Sequence, residues 1–352
     1  MAMNMESLEL YSKKMTAVKR RNRIALTVTA LLMVCLWLFS GSGMAKEERA
    51  LWHSVRSAED AVWSWRAERT GVLNLDADPH KTGLIGVEWS PLSTTLGALP
   101  AKRTACDPRW SIVISRWLNS LNIERGDSVV LLSSSSFPGL ILNTLTALET
   151  RGADVTMVLS LGSSTWGAND SSNSWPLVSG FLRTKGFIHT KADFYTPGGD
   201  NETGVGLSPE AIGEMRAMAG RDGTPFIVKK SLEDVIIWKM SLIEEKRPKA
   251  VISIGGSNAN MGDDEAILKL KPGLTADKNV NGGSGVIGRA LSQGYPVIHL
   301  LNIKELAAKE GIPFDSAPYC FFRSARSIVF AVLALLIFVF WLFTAKRWEM
   351  MK

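Results

Sequence analysis

The stretch SVVLLSSSSFPGLILNTLTALET, residues 128–150, changes character along its length. Ser128 to Leu132 is a short apolar run without alternation, the pattern of a strand buried on both faces. Pro138 to Thr150 places apolar residues at helical spacing, with proline near the start, where its missing N–H costs nothing. Between them lie Ser133, Ser134, Ser135, Ser136 and Phe137, too polar for a core and too short for a linker. Strand, polar loop and helix together form the repeating unit of a parallel sheet.

The same alternation recurs downstream. Val155 to Leu161, Pro225 to Val228, Ala250 to Ile254 and Pro296 to Leu301 read as further strands, with one more open at Phe187 to Phe194. Helices are predicted before Arg125-Gly126-Asp127 and over 175–185, 209–220, 232–246 and 286–293. Five apolar runs separated by helices imply an α/β fold: a doubly wound, mostly parallel five-stranded Rossmann-like sheet covered on both faces.

Outside this body lie two uncharged stretches, Ile24 to Ala45 and Ser327 to Ala345. Each has about the length a helix needs to cross roughly 30 Å of hydrocarbon. The chain therefore divides into a basic tail (1–23), a transmembrane helix (24–45), a membrane-proximal helix and irregular region (46–105), the α/β domain (106–326), a second transmembrane helix (327–345) and a tail (346–352). A cleaved secretory leader ending at Gly43-Met44-Ala45 is the rival reading of the first stretch. Six basic against two acidic residues give the first tail +4, and three against one give the last +2; together they account for the whole net charge of +6. Basic flanks stay cytoplasmic, so the expectation is a bacterial inner-membrane protein with its main domain outside. A neutral body carries no nucleic-acid patch, and any polyanion must be held at local sites.

Cys35 falls in the first apolar stretch. Cys106 and Cys320 either pair, closing the two ends of the domain, or remain small apolar residues. The tryptophans of 46–66 recur at helical spacing and read as packing residues.

In open α/β sheets, ligands bind beyond the carboxyl ends of the strands. Candidate ligand residues there are Ser134, Ser135, Ser136 and Gly139 after the first strand. After the second come Ser163, Ser164, Trp166, Asn169 and Asp170, and after the fourth Gly255 and Gly256. Ser136 suits a helix cap, and four serines leave hydroxyls to spare. Asp170 reads first as an N-cap for the next helix. Asp200 and Glu202 form a carboxylate pair whose default place is an exposed turn. Ser208-Pro209 is a helix start. Gly283-Ser284-Gly285-Val286-Ile287-Gly288 matches a dinucleotide fingerprint without the preceding strand it needs, leaving at most an anion cradle beside Arg289. His299 sits in an apolar strand as a hydrogen-bonded core residue, and His80 stands near Asp76 and Asp78. No G-x-S-x-G, phosphate-loop lysine or H-E-x-x-H motif is present, and neither a metal nor a cofactor is expected.

Several strings are distinctive in combination. They are Lys81-Thr82-Gly83-Leu84-Ile85-Gly86, Leu96-Gly97 with Ala101-Lys102-Arg103-Thr104, Ser136-Phe137-Pro138-Gly139, 163–170 (SSTWGAND), Gly255-Gly256 and 299–303 (HLLNI). On these the chain resembles the poly-gamma-glutamate system protein family over most of residues 75–315. The resemblance implies an accessory protein of polymer biosynthesis and export, encoded with the ligase and membrane subunits of the synthase and partnered by them and by the polymer. It carries no established catalytic residues. Two other functions remain open: an amide hydrolase or transferase acting on the polymer, with Ser134 or Ser163 as nucleophile assisted by Asp170 or His189, and a structural scaffold for the synthase membrane subunits.

Overall fold

Val129 to Ser134 are buried at every position, so both faces of the strand they form are covered, as a run without alternation requires. The computed structural model describes residues 5–40, 44–71, 73–320, 329–330 and 332–341. In chain order its elements are α1 (Met5–Ser40), α2 (Lys46–Thr70), β1 (Ser93–Thr95), α3 (Leu99–Ala105), α4 (Arg109–Ser120), β2 (Ser128–Ser134), α5 (Pro138–Arg151) and β3 (Asp154–Ser160). Next come β4 (Ser163–Ser164), α6 (Trp175–Thr184), β5 (Phe194–Thr196), α7 (Pro209–Asp222), α8 (Leu232–Lys246), β6 (Ala250–Ile254) and α9 (Asn258–Met261). The last are β7 (Gly273–Thr275), α10 (Val286–Ser292), β8 (Val297–Leu300) and α11 (Ile303–Glu310).

The fold is mixed α/β around a six-stranded sheet in the order β5-β3-β2-β6-β8-β7, parallel except for β7. From β2 the chain steps outward through β3 to β5. It then returns to the other side of β2 for β6, runs out to the edge for antiparallel β7 and comes back between them for β8. The direction of winding therefore reverses between β2 and β6, where a crevice opens beyond the strand ends. A separate parallel pair, β1 and β4, sets Ser93 opposite Ser163.

On one face, Val130, Leu132, Val251 and Val297 pack with Val235 and Ile243 of α8 and with Val286, Ile287 and Ala290 of α10. Each such large side chain contributes about 1.5–3 kcal/mol on burial. Ser208 caps α7 by accepting from Ala211 N–H, as its position before Pro209 suggested, and α5 stops where Gly152 turns left-handed at φ 71°.

Four expected strands are present as β2, β3, β6 and β8. The segment 225–228 is not one: only Phe226 bridges to Tyr195. Pro225 has no N–H to donate, and the ladder position beside β3 is taken by Phe194–Thr196 instead. β7 is three residues long, too short for a periodic signal. The 70–105 region, expected to be irregular and partly stranded, contains the short strand β1 and, in addition, the helix α3.

The chain forms two units, one of Met1–Lys46 with Phe321–Lys352 and one of Glu47–Cys320. The expected pair of membrane spans, and with it the inner-membrane location, is corrected: among the described residues no helix is long and apolar enough to cross a membrane. The first stretch is the continuation of α1, whose earlier turns carry Lys13, Lys14, Lys19, Arg20, Arg21 and Arg23, and its described apolar part ends at Ser40. Of the second stretch only 329–330 and 332–341 are described; its remainder and the tail 346–352 lie outside the described residues. Cys106 is a buried thiol and Cys320 is exposed, so the disulfide considered between them is not formed.

Candidate site at the carboxyl edge of the sheet

Beyond the strand ends lies a cleft of about 370 Å³. Ser134, Ser136 and Phe137 enter it from the β2 loop, Ser160, Gly162 and Ser164 from β3 and beyond, Gly198 to Asp200 after β5, Gly256 to Asn258 after β6, and Leu301 after β8. Thr94 to Ala98, from β1 and the turn that leads to α3, and Lys102 of α3 close one side.

Lys102 is only 2% exposed. Its Nζ donates to the carbonyl oxygen of Ser136 and, over 2.6 Å, to Ser164 Oγ, and it stands 3.8 Å from the centre of the Phe137 ring. No carboxylate pairs with it among the described residues. Burial therefore pushes its pKa down to about 7, against a smaller opposing effect of the Cys106 thiol. Ser164 is held in turn by its N–H, which donates to Ser136 Oγ over 3.0 Å. Gly97 backs this pair: a Cβ there would lie 3.0 Å from both Lys102 Cε and Ser164 Oγ.

The other wall is charged but balanced. Glu202, 2% exposed, accepts from Lys239 Nζ at 2.7 Å, from Thr196 Oγ1 at 2.8 Å and from Ser257 Oγ. Lys239 also donates to Asn260 Oδ1 at 2.9 Å, and Asn260 Nδ2 donates to Ser253 Oγ at 3.1 Å. Burial lowers the Lys239 pKa, against the smaller opposing effect of the Glu202 carboxylate beside it. Glu202 reaches this place from a left-handed backbone at φ 58°, so the turn default holds for exposed Asp200 and fails for Glu202.

The other sequence candidates divide sharply. Ser134, Ser136, Ser164 and Gly256 line the cleft, and Ser134 Oγ is buried there without a partner. Ser135 and Ser163 are turned inward, their hydroxyls donating to the carbonyls of Ser160 (2.8 Å) and Ser164 (2.9 Å). Gly255, at φ 86°, leaves room for the Ser134 hydroxyl. Gly139 serves the contact of α5 with α3, since a Cβ there would sit 2.6 Å from Ala105 O. Ser136 does not cap α5: Phe137 holds the cap position, with no side-chain bond. Asn169 pins the 87–93 loop, donating to Val87 O at 2.9 Å and Ser93 Oγ at 2.8 Å while accepting from Val87 N–H at 3.0 Å. Asp170 caps a short 3-10 helix through Ser172 N–H, as its cap reading suggested. Trp166 and Asp170 line a separate cleft with Trp63 and Arg66.

The assisting groups considered for a serine nucleophile are elsewhere. Exposed His189 contacts Glu149 at 3.1 Å, and Asp170 is occupied by Ser172. Arg289, beside the glycine string at 283–288, is paired with Glu233 at 2.7 Å. His299 is buried, with Nδ1 unpartnered, and burial lowers its pKa to about 4. Among the described residues no group of three metal-ligating side chains occurs.

Lys239 was legible only as a helix residue, and Lys102 only as part of an irregular region and of the string Ala101-Lys102-Arg103-Thr104; nothing in their spacing marks them as buried. No protein-family model, curated protein or solved structure matches the chain.

Proposed function

We propose that this chain is an accessory protein of poly-gamma-glutamate biosynthesis and export, and that its carboxyl-edge cleft holds carboxylates of the polymer. The observation that carries the reading is Lys102: a buried amine on the cleft wall with neutral partners only. Its ammonium form is costly while uncompensated, and a carboxylate entering the cleft supplies the missing countercharge. Strings behind the family resemblance contribute Gly97, Lys102, Ser136, Phe137, Ser164 and Gly256 to one lining, which supports assigning the resemblance and the cleft to a single function. A doubly wound, Rossmann-like reading of the sheet agrees, since its ligands sit where the winding reverses. In this reading the ligase and membrane subunits of the synthase are the protein partners.

The test is calorimetry of the full chain with a γ-glutamyl oligomer at pH 6 and low salt. Binding is expected, with loss on Lys102→Met and on replacing the oligomer's carboxylates by amides. Equal affinity for the charged and amidated oligomers refutes the reading.

A further inference from the structure

We infer that Ser164 and Lys102 form a nucleophile–base pair for acyl transfer at an amide or ester carbonyl held in the cleft. For its substrate, the γ-glutamyl amide, this inference rests on the polymer-binding reading above. The geometry meets the requirement of such a pair: Nζ and Oγ are 2.6 Å apart, and both side chains line one open cleft. Both are fixed, Ser164 through its backbone bond to Ser136 Oγ and Lys102 through the Ser136 carbonyl. The contrast with Lys239 is informative. Lys239 is equally buried but locked to Glu202, so its proton is held; Lys102 faces neutral oxygens, the Phe137 ring and the Cys106 thiol, and the carboxylates on the cleft, Glu202 and Asp200, are not bonded to it.

The step balances with water as the only co-reactant. Ser164 Oγ bonds to the carbonyl carbon as its proton passes to the neutral Lys102 amine. The C–N bond then breaks, and the Lys102 ammonium returns that proton to the departing amine. Water attacks the acyl carbon, losing a proton to Lys102; the bond between the acyl carbon and Ser164 Oγ breaks, Oγ recovers the proton from Lys102, and a carboxylic acid leaves. Lys102 thus acts in two forms, the ammonium beside a carboxylate and the free amine beside an amide.

The experiment treats the full chain with a fluorophosphonate and, in parallel, with γ-glutamyl polymer, reading adducts by peptide mass spectrometry and polymer length by gel. The expected adduct is on Ser164. Its rate rises about tenfold per pH unit below 7 and levels above it. Ser164→Ala removes the adduct and polymer shortening; Lys102→Met removes the pH dependence and at least a hundredfold of the rate, with circular dichroism confirming that each variant folds. Polymer that binds by calorimetry but stays uncut, with Ser164 unlabelled, overturns the inference and leaves the binding reading standing. A labelled Ser164 in a chain that binds no polymer overturns the binding reading and the substrate class while sustaining the nucleophile. Labelling of some other serine in the wild-type chain overturns the pair.

Discussion

Lys102 turns the binding reading into a quantitative pH prediction. With its pKa near 7, the free amine is protonated roughly nine times in ten at pH 6 and roughly one in ten at pH 8. A ligand carboxylate beside Nζ favours the ammonium and raises that pKa in the complex. Glutamyl carboxylates, at about 4.3, are ionised throughout this window. Affinity for a γ-glutamyl oligomer should therefore be nearly flat below pH 7 and fall above it, by roughly tenfold between pH 6 and 8, or about 1.4 kcal/mol. Near pH 7 each binding event should take up roughly half a proton. Calorimetry in two buffers of different ionisation enthalpy measures both quantities. His299, at about 4, titrates outside the window. A dissociation constant unchanged from pH 6 to 8, or a Lys102→Met variant that keeps the tenfold change, refutes the reasoning.

Three stability predictions stand apart from function. Glu59 is fully buried and burial raises its pKa well above the usual carboxylate value, against the smaller pull of Arg56. The folded chain then keeps a proton that the unfolded chain has released, so this contribution is present at low pH and lost as pH rises through the folded value. Glu59→Gln should raise the thermal midpoint at pH 8, with the gain shrinking on acidification toward pH 4; a gain that grows on acidification refutes this. Leu131→Ala, at a fully buried position of the central strand, should cost about 2–5 kcal/mol in urea unfolding. Gly139→Val should cost at least about 1–3 kcal/mol by overpacking, because the new Cβ meets Ala105 O and Cys106 Cα at 2.6 Å; an unchanged midpoint would show that α3 and α5 can separate freely.

How legible each part was depended on whether its signal is local. The strand at 250–254 and the helix at 232–246 agree with the sequence reading to the residue, since unbroken apolar β-branched runs and helical spacing report burial by neighbours already near in the chain. The serine loop was legible as a polar loop beyond a strand end because it comes directly after a buried strand. Which of its residues line the cleft was not. Ser134 and Ser136 line the cleft while Ser135 bonds to Ser160 O, a choice made by β3 alongside. Asp200 and Glu202 have the same local character, yet one is exposed and the other buried, because Lys239 is brought up to Glu202 from α8.

The amino-acid order by itself determined the alternation of strands and helices, the position of the polar loops beyond the strand ends, and the candidate serines. Those features arise from hydrophobic period and turn chemistry, which act over a few residues. Only the tertiary structure decided that Lys102, 62 residues from Ser164 in the chain, comes to rest against it without a countercharge, and that Lys239 does not. Charge compensation is a contest between burial and whatever lies within a few ångströms, and no local pattern encodes which distant side chain arrives there. The long apolar stretch at 24–45 shows the same boundary from the other side: composition suggested a span, and the continuous helix from Met5 to Ser40 did not supply one.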